Sequence, residues 1–358
     1  MRPITFLVPG PLDARTGGSI YDCRMAAALR TSEWQVTIVE LDRSFPHPTP
    51  AALDQADHAL ASVEPGTVAV IDSLAFGTIP ESIVRHAARL RIVALMHLPL
   101  AATFGLNRET AALFEAGERR ALSAAALVVV TGKPALPLLM RYDLPVDRIA
   151  VVEPGTDPAP LARGSRPAEA GHHDPGTELL CVGTVNAIKG HDMLLEALSA
   201  VPNRRWHLTC AGSLTRDPAT ARDVRAVVTR LGLNDRVTLA GDLDRSALAA
   251  CYDRADLFVL ATRQETYGMA VAEALARGLP VVATTTGAIR ELVGNDAGLL
   301  VAVGDTGALT TALARVLDDG ALRARLADGA RRVRHRLPTW DEAANRMTAA
   351  LASVDAHG

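Results

Sequence analysis

Glu265-Thr266-Tyr267-Gly268-Met269-Ala270-Val271-Ala272-Glu273, continuing through Ala276-Arg277-Gly278-Leu279-Pro280-Val281-Val282-Ala283-Thr284, decides how this chain is read. An apolar run at 256–260 precedes it and has the length of a buried strand. The polar residues 263–267 then lead to Gly268, where a helix is predicted to open and to run to Arg277. Gly278 and Pro280 supply the stop, since glycine suits the residue after a helix and proline cannot continue one. A strand, a short polar loop and a helix in that order make a βα unit. The start of its helix presents unpaired N–H groups and the positive end of the helix dipole, so it suits phosphate. Glu265 and Glu273 lie on either side of that start. Eight helical residues rise about 12 Å, enough for two acceptors to grip hydroxyls at opposite ends of a nucleoside-diphosphate sugar. Glu273 sits in an otherwise apolar run, where an unpaired charge would be costly to bury.

The same alternation extends in both directions. Apolar runs at 4–8, 36–40, 68–71, 92–96, 127–131 and 149–152 are separated by stretches with helical spacing. A second series follows at 179–182, 207–211, 237–240, 257–260, 281–283 and 299–301, with helical stretches between its members. Strands apolar on both faces imply parallel sheets covered by helices, hence an α/β chain with doubly wound sheets. Between the two series, 154–176 is rich in Pro and Gly and has no period, as expected of a linker. The expected organisation is a first domain over 1–160, a linker over 161–177 and a second domain over 178–338. A last helix at about 340–358 is expected to return to the first domain. Ligands of such folds sit at the carboxyl ends of the strands, and with two domains the expected place is the cleft between them.

Bulk properties narrow the classes of function. The chain has 358 residues, 49% apolar and 22% charged, in the range of globular domains. A net charge of −3 gives no electrostatic footprint for nucleic acid. Cys23, Cys181, Cys210 and Cys251 are scattered without C-x-x-C spacing, so neither a zinc site nor a disulfide framework is expected. The apolar run at the N-terminus is too short for a signal peptide, and no stretch reaches the roughly 18 residues of a spanning helix. These features point to a cytoplasmic protein without a transmembrane segment.

The segment from Glu265 to Thr284 resembles the E-x7-E region of retaining glycosyltransferase family 4. Other stretches keep the family's order. Cys181-Val182-Gly183, then Lys189-Gly190 and Leu194-Leu195, is similar to its V-G-R-L-x-x-x-K-G-x-x-x-L-L. Residues 252–259 are similar to its Y-x-x-A-D-x-F-V, and Gly287 to Val293 to its G-G-x-x-E-L-V. Gly17-Gly18 resembles the glycine pair after the first strand, and His97 the histidine that faces the donor hexose. The likeness spans nearly the whole chain and is stronger in the second half. It implies a GT-B fold of two Rossmann-like domains facing across a cleft, the first for the acceptor and the second for the nucleotide sugar. It implies a hexose moved from a nucleoside-diphosphate sugar to an acceptor hydroxyl, with retention at the anomeric carbon. Catalytic roles then fall to Glu265, His97 and Lys189. The donor is expected on Gly18, Gly183, Thr184 and Lys189, with Glu265 at the hexose and Glu273 at the ribose. Gly268, Met269 and Ala270 are expected on the diphosphate side, and Tyr267 among the donor-binding residues. Neither a metal nor another cofactor is expected, and the acceptor is a small molecule or lipid-linked.

Three departures from the family pattern stand out. Thr184 replaces the usual Arg and removes a bidentate phosphate clamp, for which Arg263 is the candidate replacement. Thr266 and Tyr267 replace Gly and Phe. An alternative reading is therefore a catalytically weakened sugar-nucleotide-binding or partner protein of the same fold. Gly10 to Gly18 lacks G-x-G-x-x-G, so a third reading, a nicotinamide-dependent dehydrogenase, lacks its glycine fingerprint. Asp242-Leu243-Asp244 mimics a D-x-D metal motif but is expected to cap the helix from Arg245. His172-His173 falls in the linker and is read as solvated.

Overall fold

Every apolar run singled out above forms a strand, and the strands assemble into two parallel sheets. The structure, a computed structural model, describes residues 2–165 and 176–355. The first sheet contains β1 (Arg2–Pro9), β2 (Trp34–Leu41), β3 (Val68–Asp72), β4 (Arg91–Met96), β5 (Leu127–Val130) and β6 (Ile149–Val151). Its order is β2-β1-β3-β4-β5-β6. The second contains β7 (Thr177–Val182), β8 (Trp206–Ala211), β9 (Val237–Gly241), β10 (Leu257–Leu260), β11 (Val281–Thr284) and β12 (Gly298–Val301). Its order is β12-β11-β10-β7-β8-β9. All pairings are parallel, and helices connect the strands.

The two orders differ in a way that matters for the site. The second sheet has the dinucleotide-fold order, and it reverses between β7 and β10. The first has the flavodoxin-like order, reversing between β1 and β3. Ligands of open α/β sheets bind at the carboxyl ends of the strands that flank such a reversal. In the second sheet that point is the loop after Val182 together with the loop after Leu260. In the first it is the segment after Pro9 together with the end of β3.

Two separate units result. One is formed by the described residues up to Gly155 together with those from Pro338, the other by Thr156–Leu337. The core of the second unit is built on Leu180, Leu208, Phe258 and Val282, with Leu194, Leu275 and Leu313 from the covering helices, all nearly inaccessible. That of the first unit is built on Leu7, Ile71, Ala94 and Val130 with Phe76, Ile83 and Leu122. The last helix, Trp340–Asp355, packs on Gly17–Arg30 within the first unit. Trp34 Nε1 donates to Thr348 Oγ1 at 3.1 Å, and Trp340 lies edge-on to Tyr21 with centroids 5.8 Å apart.

The expected linker behaves differently from a free chain over its described part. Gly155 lies so close to the 339–340 backbone that a Cβ there would come within 2.3 Å of Trp340 N. Ala162 N donates to Arg277 O at 2.9 Å, and Arg163 N and Gly164 N both donate to Asp253 O. A Pro/Gly-rich composition removed helical periodicity without removing hydrogen-bond partners, so 161–165 packs as part of the second unit. Residues 166–175, including His172-His173, lie outside the described residues.

Candidate active site

The site of the second unit grows from the switch point. After β7 the chain turns at Gly183, and Asn186 Oδ1 accepts the N–H of Lys189 at 3.1 Å. Gly190 adopts φ +63, and a Cβ there would fall 2.2 Å from Ala261 O. Only glycine fits that approach, so this residue brings the loop after β7 against the loop after β10. Four hydrogen bonds then join the two loops. Arg263 N donates to Ile188 O at 2.7 Å, and Thr262 Oγ1 to the same carbonyl at 3.2 Å. The Arg263 guanidinium reaches Ala187 O at 2.6 Å and Asp192 Oδ2 at 2.7 Å.

That joining sets Lys189 against Glu265. The ammonium and the carboxylate form an ion pair between residues 76 positions apart, and their side chains are 23% and 13% exposed. The stem of Lys189 crosses Gly183, where a Cβ would sit 3.2 Å from Lys189 Cδ. Thr184 follows, half-buried. The guanidinium of Arg263, the candidate replacement for the missing clamp, holds the two loops together.

The helix predicted from Gly268 spans Met269–Ala276. Gly268 precedes it with φ +101, a left-handed conformation, and a Cβ there would also press on Ile289 Cγ1 at 3.2 Å. Among the described residues no side chain caps the helix start, so its first N–H groups are left for another acceptor. Met269 and Ala270 are half-buried at that start. Tyr267, expected among the donor-binding residues, is 5% exposed and packs with Ala272 and Ala288. Its large apolar ring is the reason: it fills the gap under the helix start, so Tyr267 supports the site through packing. Glu273 lies one turn further in. Tyr252 Oη donates to Glu273 Oε2 at 2.9 Å and to Ala270 O at 3.3 Å. Burial raises the Glu273 carboxyl above its ordinary range, against the Tyr252 hydrogen bond and the Arg277 charge, which lower it. Arg277 is stacked over the Tyr252 ring at 4.2 Å. Tyr252 thus fixes one carboxylate oxygen and orients the other.

In the first unit, Gly17 and Gly18 form the first turn of the helix Gly17–Arg30 rather than a loop, with Thr16 as its cap. Gly18 lies against His97: a Cβ would be 3.2 Å from the ring's Cδ2. His97, just past the end of β4, turns Nε2 toward two carboxylates, Asp22 Oδ1 at 2.9 Å and Asp72 Oδ2 at 3.2 Å. Burial works against the imidazolium, but Asp22 and Asp72 together outweigh it and raise His97 to about 10. Burial and Asp72 raise Asp22, and the opposing pull of His97 leaves it at about 7. Asp22 was not singled out from sequence. The available signal was a charge at Asp22 within the buried stripe Tyr21, Met25, Ala26 and Leu29 of an amphipathic helix.

The cluster makes a pH prediction. The ordinary value of a histidine is about 6.5. A group raised above it stabilises the fold fully below 6.5, and that contribution is lost as pH rises toward 10. Asp22, raised to about 7 from a carboxyl's ordinary value near 3.9, loses its part earlier, between about 4 and 7. The first unit should therefore melt at falling temperature from pH 6.5 to 10. His97→Gln should flatten this interval, read by thermal denaturation across pH. An unchanged slope would contradict the ion cluster.

Asp244 caps the helix Arg245–Arg254, accepting Ala247 N at 2.8 Å, as expected for Asp242-Leu243-Asp244. The scattered cysteines are different. Cys181 and Cys210 are register partners on β7 and β8, and His191 joins them. Another residue missed from sequence is Glu118, completely buried. It accepts Leu100 N at 2.6 Å, Ala101 N at 3.2 Å and Tyr142 Oη at 2.5 Å.

Comparison with known proteins agrees with the fold. The first level is the class of fold. A sucrose-phosphate synthase from Thermosynechococcus elongatus aligns over 100% of both chains with TM-score 0.80 and 22% identity. Anabaena HepE in complex with UDP-glucose aligns over 98% of this chain and 100% of its own, with TM-score 0.76 and 16% identity. The chain has the GT-B fold. At the level of family, the profile of the glycosyl transferases group 1 matches residues 176–319. The D-inositol 3-phosphate glycosyltransferase of Xylanimonas cellulosilytica is 36% identical over 242 residues, 64% of this chain and 58% of that relative. The chain thus spans under two thirds of the length of the curated relatives it matches. Over these stretches the chain is similar to glycosyltransferases of this group. Among the described residues, no helix is long and apolar enough to cross a membrane.

Proposed function

We propose that the chain transfers a hexose from a nucleoside-diphosphate sugar to an acceptor hydroxyl with retention at the anomeric carbon. The observation that carries this reading is the meeting of Lys189, Glu265 and the uncapped helix start at Met269 on the switch point of the second sheet. A diphosphate placed there is stabilised by helix N–H groups and by the ammonium of Lys189 as negative charge develops on the leaving group. Glu273, held by Tyr252, accepts from the ribose hydroxyls. Glu265 accepts from hexose hydroxyls, and Lys189, now paired with it, turns to the phosphate when the donor enters. In this reading the departing phosphate takes the acceptor proton, so no side chain serves as nucleophile and the transfer step uses no metal.

Likeness to proteins named D-inositol 3-phosphate glycosyltransferase favours a small polyol acceptor over a lipid-linked one. We assign acceptor recognition to the first unit and the cytoplasm as the site of action. Thr184, in place of a phosphate-clamping Arg, favours one rival: a donor-binding protein without turnover. Release of free sugar or of product from a bound donor would exclude that rival.

The test separates the two carboxylates. Glu273→Ala should weaken donor binding roughly 10- to 100-fold, the worth of a hydrogen bond to a charged group. Glu265→Ala should mainly lower kcat. Nucleotide-sugar titrations beside turnover assays measure both, and variants that match the unmodified chain in affinity and rate would refute the site.

A further inference from the structure

We propose that Cys181, Cys210 and His191 form a binding site for one zinc ion inside the second unit. The site is independent of the donor reading. Cys181 and Cys210 are directly paired in the register of β7 and β8, so their side chains leave the same face of the sheet. His191 is the first residue of the helix His191–Ala200. The two sulfur atoms and one imidazole nitrogen lie within 4.8 Å of one another. All three residues are 2% exposed or less.

Hydrogen bonding within the protein does not account for the imidazole. Its Nε2 has only a 3.9 Å contact with the sulfur of Cys181. Its Nδ1 is buried with no hydrogen-bond partner among the described residues. An ion on Nε2 would give that nitrogen the close partner that the Cys181 sulfur does not supply. Two sulfurs and one imidazole are a soft donor set of the type that selects zinc or copper(I). Charge decides between them. Two thiolates and a neutral imidazole around a dication sum to zero, whereas copper(I) would leave one uncompensated negative charge in an apolar core.

The position gives such an ion a structural task. It would tie β7, β8 and the start of the helix from His191 to one centre. Gly183 and Lys189 lie on the chain between Cys181 and His191, so the ion would brace the loop that carries them.

Cobalt(II) in place of zinc reports thiolate ligation by its charge-transfer absorption, whatever the enzymatic activity. The full chain, reduced and refolded with cobalt(II), should bind one equivalent with a two-thiolate spectrum that zinc bleaches. Cys181→Ser and Cys210→Ser should each lose about half of the band and the double variant all of it, while Cys23→Ser and Cys251→Ser leave it unchanged. His191→Ala should weaken cobalt binding at least 10-fold. In parallel, the unmodified chain purified from zinc-supplemented growth should carry close to one zinc. If the serine variants do not fold, this zinc content and the unmodified chain's cobalt spectrum decide. No charge-transfer band and no zinc, or a band that survives in a folded double variant, would overturn the proposal.

Discussion

Lys189→Ala should lower kcat/KM for sugar transfer by roughly 10²- to 10³-fold, the usual cost of removing one preorganised donor to a developing anion. Two effects add here. The leaving diphosphate loses a cation held in place, since the Lys189 stem lies over Gly183 and its N–H is fixed by Asn186. Glu265, only 13% exposed, also loses its ion-pair partner and remains as a carboxylate beside an incoming diphosphate. Repulsion between them should raise the donor KM as well as lower kcat. Lys189→Ala combined with Glu265→Gln should therefore recover part of the donor affinity while kcat stays low, a non-additive result expected of groups in contact. Steady-state kinetics on both variants measure this. Strict additivity would mean that Lys189 and Glu265 do not act as a pair.

The second large effect concerns stability. Glu118→Leu should cost the first unit about 3–5 kcal/mol, the range for breaking a buried polar network on one side. The carboxylate is fully buried, and both of its oxygens are used. Burial raises its pKa, while Tyr142 and the N–H groups of Leu100 and Ala101 lower it. Leucine would leave those two N–H groups and the Tyr142 hydroxyl without their acceptor, each at a cost of about 1–3 kcal/mol. The site is also tightly enclosed, because a Cβ on Gly77 would come within 2.6 Å of Glu118 Cγ. Glu118→Gln keeps the shape and one acceptor oxygen, so about a third of the loss is expected. At roughly 2–4 °C per kcal/mol for a unit of this size, leucine should lower the first unit's melting temperature by roughly 6–20 °C. Denaturation followed by calorimetry checks it, and a shift under 3 °C would show that the network contributes little.

Much of this arrangement could be read from the chain itself. Most strands are apolar runs, because a strand covered by helices on both faces has no polar side to interrupt it, while edge strands such as β2 carry exposed polar residues. The βα unit around Gly268 was equally readable, since strand, polar loop, glycine and helix are consecutive. Contacts set by strand order were not. Asp22, Asp72 and His97 are far apart in sequence and meet only because β3 lies between β1 and β4. Cys181 and Cys210 face one another only when β8 pairs with β7 in that register. Nothing local to either cysteine encodes the other. Arg263 shows a further limit. Its position suggested a phosphate ligand, whereas its bonds to Ala187 and Asp192 make it the residue that joins the two loops. The described part of the linker shows the same limit, because composition marks where periodicity stops and says little about what the backbone bonds to.

The central claim is that the carboxyl ends of β7 and β10 hold a nucleoside-diphosphate sugar between Lys189, Glu265 and Glu273. Isothermal titration of the unmodified chain and of Glu273→Ala tests it most directly, using the nucleotide sugar that gives the largest thermal shift among the UDP, GDP and ADP series. One saturable site in the unmodified chain, weakened at least 10-fold in Glu273→Ala, is the predicted result. Equal affinity in the two proteins, or no binding of any of the three nucleotide classes, would contradict it.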